Sequence, residues 1–397
     1  MTGARAGSIV HRVIAARRVD IAIVGGGIVG ASCAYFLAEG GAAPLLLESG
    51  RVGREASGAN AGGVRQQGRA LPEMPLALAA RSLWPELDAR LDARVEYERC
   101  GDLRLVESPA DAERLRGLAA REESAGLRLE WVEGAALRSL VPGIGPTMLG
   151  GTFCPTGGQA NPLVVTPALA RRARDLGATV WERCPVHALR EDGGGFSLDT
   201  ANGDVRAERV VLAAGAWTPL LAAGLGLALP ISLFVPQMAV TAPLPKVLEP
   251  VLLGFSRRLS MKQARSGAIL IGGGKRGWGD LATRARGLVE ESIRRSAVDA
   301  VAALPLLAHA ETTRSWVGLE GLTPDEMPII DRLPGGKGWV AAGFCGHGFA
   351  IGPVVGRLIA EALRDGRPAP DLSAFAAGRF PNIPLPLGRG QGEGARG

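Results

Sequence analysis

The chain has 397 residues, 47% hydrophobic and 21% charged, which argues against a disordered or fibrous protein and leaves room for two globular units. Its net charge of +6 comes almost wholly from arginine, the lysines being Lys246, Lys262, Lys275 and Lys337. No basic run is interleaved with aromatics, so a nucleic-acid surface is not indicated. The five cysteines (Cys33, Cys100, Cys154, Cys184 and Cys345) are scattered without a C-x-x-C, so neither a disulfide framework nor a metal site is expected, and a reducing, cytoplasmic compartment is.

Met1–Arg18 carries four arginines and no long apolar run, unlike a secretory signal, and residues 1–18 and 386–397 are expected to be flexible termini. Asp20–Val24 is short, apolar and β-branched, as a buried parallel strand should be. A helix follows over Ile28–Glu39, closed by Gly40 and Gly41, and Pro44–Glu48 makes a second buried strand, completing a βαβ unit. Residues 52–68 form a Gly-, Ser- and Asn-rich loop, and 73–92 and 109–126 read as helices. Strand-like pieces fall near 102–107 and 129–132. Leu163–Gly177 is a helix leading into a strand at 178–181, and Arg209–Gly215 is another apolar strand. The charge-free run between Arg209 and Lys246 is broken by Pro219, Pro230 and Pro236, which argues against membrane association. Strands of a mixed sheet are expected over 231–272, a helix over 287–303, a strand over Trp339–Gly343 and a closing helix over 352–364.

Three segments carry chemistry. Gly25-Gly26-Gly27-Ile28-Val29-Gly30 is a G-x-G-x-x-G between strand and helix: Gly25 for the tight turn, Gly27 for close approach of a pyrophosphate, Gly30 for helix-on-strand packing. Glu48 stands about 20 residues on, at the end of the second strand, where a carboxylate takes ribose hydroxyls. Arg54–Arg65 is then a long loop of small residues. An NAD enzyme has no evident use for it, whereas a flavin with its ribityl chain does; the bland reading is an ordinary mobile loop. Gly343-Phe344-Cys345-Gly346-His347-Gly348-Phe349 is a second glycine-rich corner, and the helix after it would aim its N-terminus back at the flavin. In that corner Cys345 reads as a packing residue, and His347 either packs or touches the flavin.

In these segments the chain resembles the FAD-dependent D-amino acid oxidase superfamily, in the branch of glycine oxidase, sarcosine oxidase β-subunits and opine and hydroxyproline dehydrogenases. Further matches are Gly158–Pro162, Val211–Trp217, Trp316–Leu319, Thr323–Asp325 and Pro328–Asp331. The resemblance implies an α/β fold: a Rossmann-type FAD domain of glutathione-reductase type, discontinuous over 19–90, 151–225 and 325–376, and a mixed-sheet substrate domain over 91–150 and 226–324. It implies non-covalent FAD held by Gly25, Gly27, Ile28, Val29, Gly30 and Glu48, with Ser49 and Arg51 near the adenosine ribose and Val186 near the adenine. Ala214 and Gly215 would flank the pyrophosphate. Ser57, Ala61, Gly62 and Gly63, with Gly343, Gly346, His347, Gly348 and Phe349, would lie near the flavin.

The implied activity is oxidation of the C–N bond of an amino acid or N-substituted amino acid of sarcosine, proline, hydroxyproline or opine type. Hydride would pass to flavin N5, and water would hydrolyse the imine. The alternative is a β-type component of a heteromeric dehydrogenase, active only with partner subunits that carry an iron–sulfur cluster. Arg65, Lys275, Glu320 and His347 are the candidate pocket residues, and Gln67 and Arg314 could also meet an anionic substrate. Departures from the family are specific. Glu320 stands where glycine oxidase-like members carry a carboxylate-clamping arginine, and Ala350 where monomeric sarcosine oxidases carry a lysine. Gly318 stands where those enzymes attach flavin through cysteine. The strand matched to the family's flavin-facing lysine, Ala268–Gly274, contains none, Lys275 following it, which argues against fast oxygen use.

Overall fold

The computed structural model describes residues 16–365 and 371–380; the expected tail at 386–397 lies outside them. Arg17 and Arg18, expected in a flexible terminus, instead open the first strand, Arg17–Val24, because Val205–Ala207 pair with Arg17–Val19 and extend it. The opening helix is Ile28–Glu39. Residues 28–38 are all buried, as befits a helix apolar on every face and covered on every side.

One sheet orders its strands Ile329–Arg332, Gly338–Ala342, Val205–Leu212, Arg17–Val24, Leu45–Leu47, Thr179–Trp181. Every pair is parallel except the first, and the strands read as near-continuous Val, Ile and Leu because both faces are covered. A hairpin of Val186–Asp192 and Gly195–Thr200 joins the edge of Val205–Leu212. The second sheet also has eight strands, in the order Thr312–Val317, Gln237–Thr241, Ile269–Gly272, Ser260–Gln263, Val251–Gly254, Asp102–Val106, Gly150–Cys154, Glu130–Glu133. It is antiparallel but for the pairing of Val251–Gly254 with Asp102–Val106. Gly150–Cys154 straddles the boundary expected at 150/151, and belongs wholly to this second sheet.

The last helix, Gly348–Asp365, starts four residues before the sequence suggests and packs on the opening helix. A Cβ on Gly356 would fall 2.5 Å from Ser32 Cβ, so the two helices approach closely there. Trp84, fully buried, donates its indole N–H to Ala350 O at 2.8 Å and ties the first turn of that helix to the Met74–Leu83 region. Both ends of the described chain therefore meet over one apolar core.

Candidate active site

The parallel strands end in step: Val24 is level with Leu47 and Leu212, and Leu212 with Val340. Just past these ends lie Glu48, Gly25–Gly30, Ala213–Gly215 and Gly343–Phe349, so four corners far apart in sequence line one crevice at the carboxyl edge of the sheet. Nucleotides bind at such an edge in doubly wound folds. Gly25 has φ +109°, and a Cβ there would sit 2.3 Å from Ala213 O; at Gly30 it would sit 1.9 Å from Gly25 O. The fold itself requires those two. Gly27 differs, since its Cβ would meet only Ser57 Oγ, at 3.1 Å, while at Gly215 and Gly346 it would meet nothing within 4 Å. Open positions beside the N-terminus of the opening helix are what the pyrophosphate of a dinucleotide needs, and in this respect the residues fit FAD. Ile28 N–H donates to Ser57 Oγ at 2.8 Å, bringing the 56–59 turn to that N-terminus.

Glu48 is buried, and accepts Gly26 N–H at 2.7 Å through one carboxylate oxygen and Gly50 N–H at 2.6 Å through the other. The oxygen bonded to Gly50 also accepts the Ser49 hydroxyl at 3.2 Å, and the other keeps a further lone pair for a ribose hydroxyl. Ser49 Oγ accepts from Arg284 at 2.6 Å, Arg51 is exposed, and Val186 opens the hairpin two residues after Cys184, whose N–H donates to Glu48 O. On the flavin-loop side, Gly62 lies where a Cβ would fall 2.2 Å from Ala160 O and 2.7 Å from Lys262 Nζ, and Gly63 pairs with Gln159. Lys262 is buried and donates to Ala160 O at 2.8 Å; burial pulls its ammonium down to about 8. A cavity of about 600 Å³ opens beside it, walled by Gly58–Asn60, Trp316 and Arg314.

Behind the Gly343–Phe349 corner is a charged cluster drawn from separate elements. Glu73 is fully buried and its two oxygens lie 2.9 and 3.0 Å from His347 Nδ1. Burial, reinforced by the Arg69 and Arg65 charges and opposed by Glu73, lowers the imidazole to about 4. Arg69, also buried, donates one N–H to Arg65 O at 2.8 Å but has no partner for Nε or Nη1, and burial pulls it down to about 10. The Arg65 guanidinium is desolvated and makes no hydrogen bond or ion pair among the described residues, its nearest opposite charges being Asp102, Glu73 and Glu320. Asp102 is fully buried, and desolvation raises it to about 6. Glu320 accepts Gly346 N–H and is raised by burial.

A model of the family described as FAD dependent oxidoreductase matches residues 20–362. The chain belongs to that family. It is an FAD-dependent oxidoreductase. It is 30% identical to a glycine oxidase of Geobacillus kaustophilus, over 91% of this chain and 97% of the relative. To the B chain of the opine oxidase of Rhizobium meliloti it is 31% identical, over 91% and 98%. The solved glycine oxidase of Geobacillus kaustophilus superposes with a TM-score of 0.85 at 27% identity, covering 93% of this chain and 100% of that one. An L-proline dehydrogenase from P. horikoshii shares the fold with a TM-score of 0.85 at 24% identity, covering 92% and 98%.

Of the four pocket residues expected in this oxidoreductase, Arg65, Glu320 and His347 come together and Lys275 does not. Lys275 instead pairs with Asp299 at 2.9 Å, an aspartate shared with Arg257. Gln67 is a buried strut between Asp102 O, Thr152 O and the Thr152 hydroxyl. Arg314 stacks on Trp316, whose indole N–H donates to Ala59 O, so both serve the cavity wall rather than the charged cluster. Cys345 sits at φ +53° and its Sγ packs on Gly343 O and Thr323. Ala268–Gly274 contains no lysine, as its sequence shows, but a lysine approaches the Gly62 turn from elsewhere. Lys262 reaches it from the strand paired with the one expected, its Cα level with Leu270. Arg69, Glu73 and Asp102 carry no signal in the sequence that marks them for this site. Among the described residues no group of three or more His, Cys, Asp or Glu is placed to hold a metal ion, and no helix is long and apolar enough to cross a membrane.

Proposed function

We propose that this enzyme oxidises the C–N bond of an amino acid or N-substituted amino acid of sarcosine, proline, hydroxyproline or opine type, with FAD held non-covalently. The observation that carries the reading is the unpaired, desolvated Arg65 guanidinium beside the Gly343–Phe349 corner. A partly buried guanidinium that no carboxylate contacts among the described residues suits an anionic ligand, and an α-carboxylate supplies it in bidentate fashion. Glu320, where relatives of glycine oxidase type would have the arginine, is occupied with Gly346 N–H, so the carboxylate anchor falls to Arg65. FAD supplies the two-electron acceptor, at N5 of its ring. The chain's own residues hold the amino acid with its α-C–H in line and keep water out, and the amine binds neutral, so no general base is required. The product imine is hydrolysed by water.

Anaerobic bleaching of the flavin by a panel of D- and L-amino acids, N-methyl amino acids and opines tests this. Arg65→Met should raise the half-saturating concentration about 100-fold for the substrate found, and leave amines without a carboxylate unaffected. Bleaching by such amines as readily as by amino acids would sink the reading.

A second reading is that the chain works as a β-type component whose electrons leave through partner subunits carrying an iron–sulfur cluster. It is supported by the relatives named as the B chain of opine oxidase and the β chain of sarcosine oxidase, both of Rhizobium meliloti, and by the open cavity beside Lys262 with Leu163 and Leu288 exposed at its rim. A fully active monomer using oxygen would exclude it.

A further inference from the structure

We propose that Glu73 is a positioning residue that locks His347 as its Nδ1–H tautomer, and that the bare Nε2 is a fixed acceptor for an N–H of the substrate's reacting nitrogen. The acceptor half rests on the proposed activity; the tautomer half does not.

The imidazole is held from two sides. Its backbone N–H donates to Phe344 O at 2.8 Å and its carbonyl accepts Ala350 N–H at 3.2 Å, which seats it at the entrance of the last helix. Its Nδ1 faces both oxygens of Glu73, a side chain with no solvent exposure that also accepts Ala70 N–H at 3.3 Å. The charged groups around the ring are Glu73, Arg69, Arg65 and, through Gly346, Glu320; the Cys345 thiol adjoins it in sequence. Burial and the two guanidinium groups keep the ring neutral, and the hydrogen bond from His347 and the positive charge of Arg69 hold Glu73 below the usual carboxylate range despite its burial. A neutral imidazole has one N–H and an ionised carboxylate can only accept, so the proton is on Nδ1. Nε2 then carries a lone pair, and it makes no hydrogen bond among the described residues, on a side chain 15% exposed.

The direction of this hydrogen bond matters for the chemistry. The nitrogen lone pair must assist departure of hydride from the adjacent carbon. An acceptor at Nε2 engages an N–H and leaves that lone pair free. The opposite tautomer would donate to the lone pair and tie it up. Hence the site suits primary and secondary amines, and a tertiary amine gains nothing from it.

The test uses the holoenzyme with ¹⁵N-labelled histidine. The His347 ring should show a protonated Nδ1 and an unprotonated Nε2 across pH 6–9, and Glu73→Gln, whose amide can donate to Nδ1, should mix the tautomers. In stopped-flow flavin reduction, the probes are N-methylglycine against N,N-dimethylglycine and L-proline against N-methyl-L-proline. Glu73→Gln should slow the secondary amine about 10- to 100-fold, the size of one mis-made buried hydrogen bond, leave the tertiary amine within about twofold, and be partly rescued by Glu73→Asp. His347→Asn should lose the same discrimination. An Nε2–H tautomer in the unmodified enzyme overturns the first half, and equal slowing of secondary and tertiary amines the second. A flavin that no amine bleaches overturns the activity and the acceptor half together, while the tautomer half still stands or falls on the spectrum.

Discussion

The glycine edge and the charged cluster face each other across the Gly343–Phe349 corner, and they are built on opposite principles. The edge uses backbone: at Gly25 and Gly30 an added Cβ would fall 2.3 and 1.9 Å from a carbonyl oxygen, closer than any side chain tolerates, and its donors are main-chain N–H groups. The cluster uses ionisable side chains, Arg65, Arg69, Glu73, Asp102 and His347, drawn largely out of water, and leaves Arg69 Nε and Nη1 and Asp102 Oδ1 without a hydrogen-bond partner. Backbone donors are cheap to bury because the helix and sheet already satisfy most of their neighbours. Buried ions are costly, and are kept where binding or orientation needs them.

This contrast can be broken at its stiffest point. Gly30→Val places a branched side chain onto Gly25 O and should cost at least about 3 kcal/mol. The expected result is little folded protein and no bound-flavin absorbance; a soluble, yellow Gly30→Val enzyme would refute the packing described.

Lys262 tests the buried ions. Its folded value of about 8 lies below the 10.5 of a solvated lysine, so the native state binds fewer protons than the unfolded chain between the two. Stability should therefore rise as pH increases from about 8 to 10.5, by up to about 3 kcal/mol, and be lost on the way back down, levelling off below about 8. Lys262→Met should flatten that slope in urea titrations at about pH 7.5 and 9.5. A slope unchanged in the variant would mean that Lys262 is solvated.

The smallest effect on folding sharpens the comparison most. A Cβ at Gly27 meets only Ser57 Oγ, so Gly27→Ala should alter the stability of the flavin-free protein by no more than about 0.5 kcal/mol. It should nonetheless weaken FAD binding about tenfold, read by fluorescence titration. Equal losses in both would make Gly27 one more structural glycine.

The two regions are unequally visible in the sequence for the same physical reason. Glycine edges are local: strand, turn, helix and acid lie within one βαβ unit, and the opening helix begins and ends at the residues its pattern predicts. The charged cluster is not local. Glu73 stands at the start of the Met74–Leu83 helix, where an acid ordinarily complements the helix dipole at the surface. Nothing in the spacing signals that His347, far along the chain, will cover it. Lys262 carries no sequence mark of a site because its strand partner, Ile269–Gly272, matches the expected position while the side chain comes from the neighbour. The hairpin at 186–200 is hidden because Arg190–Asp192 and the glycines after them read as a polar turn.

The helix pairing between Ile28–Glu39 and Gly348–Asp365 also sets an order of events. A ribosome making this chain emits the nucleotide-binding fingerprint at Gly25–Gly30 long before the wall opposite it at Gly343–Phe349. Cofactor capture must then wait for that second corner, and ring closure over so long a loop is slow. Nascent chains arrested before residue 343 should bind no flavin at all.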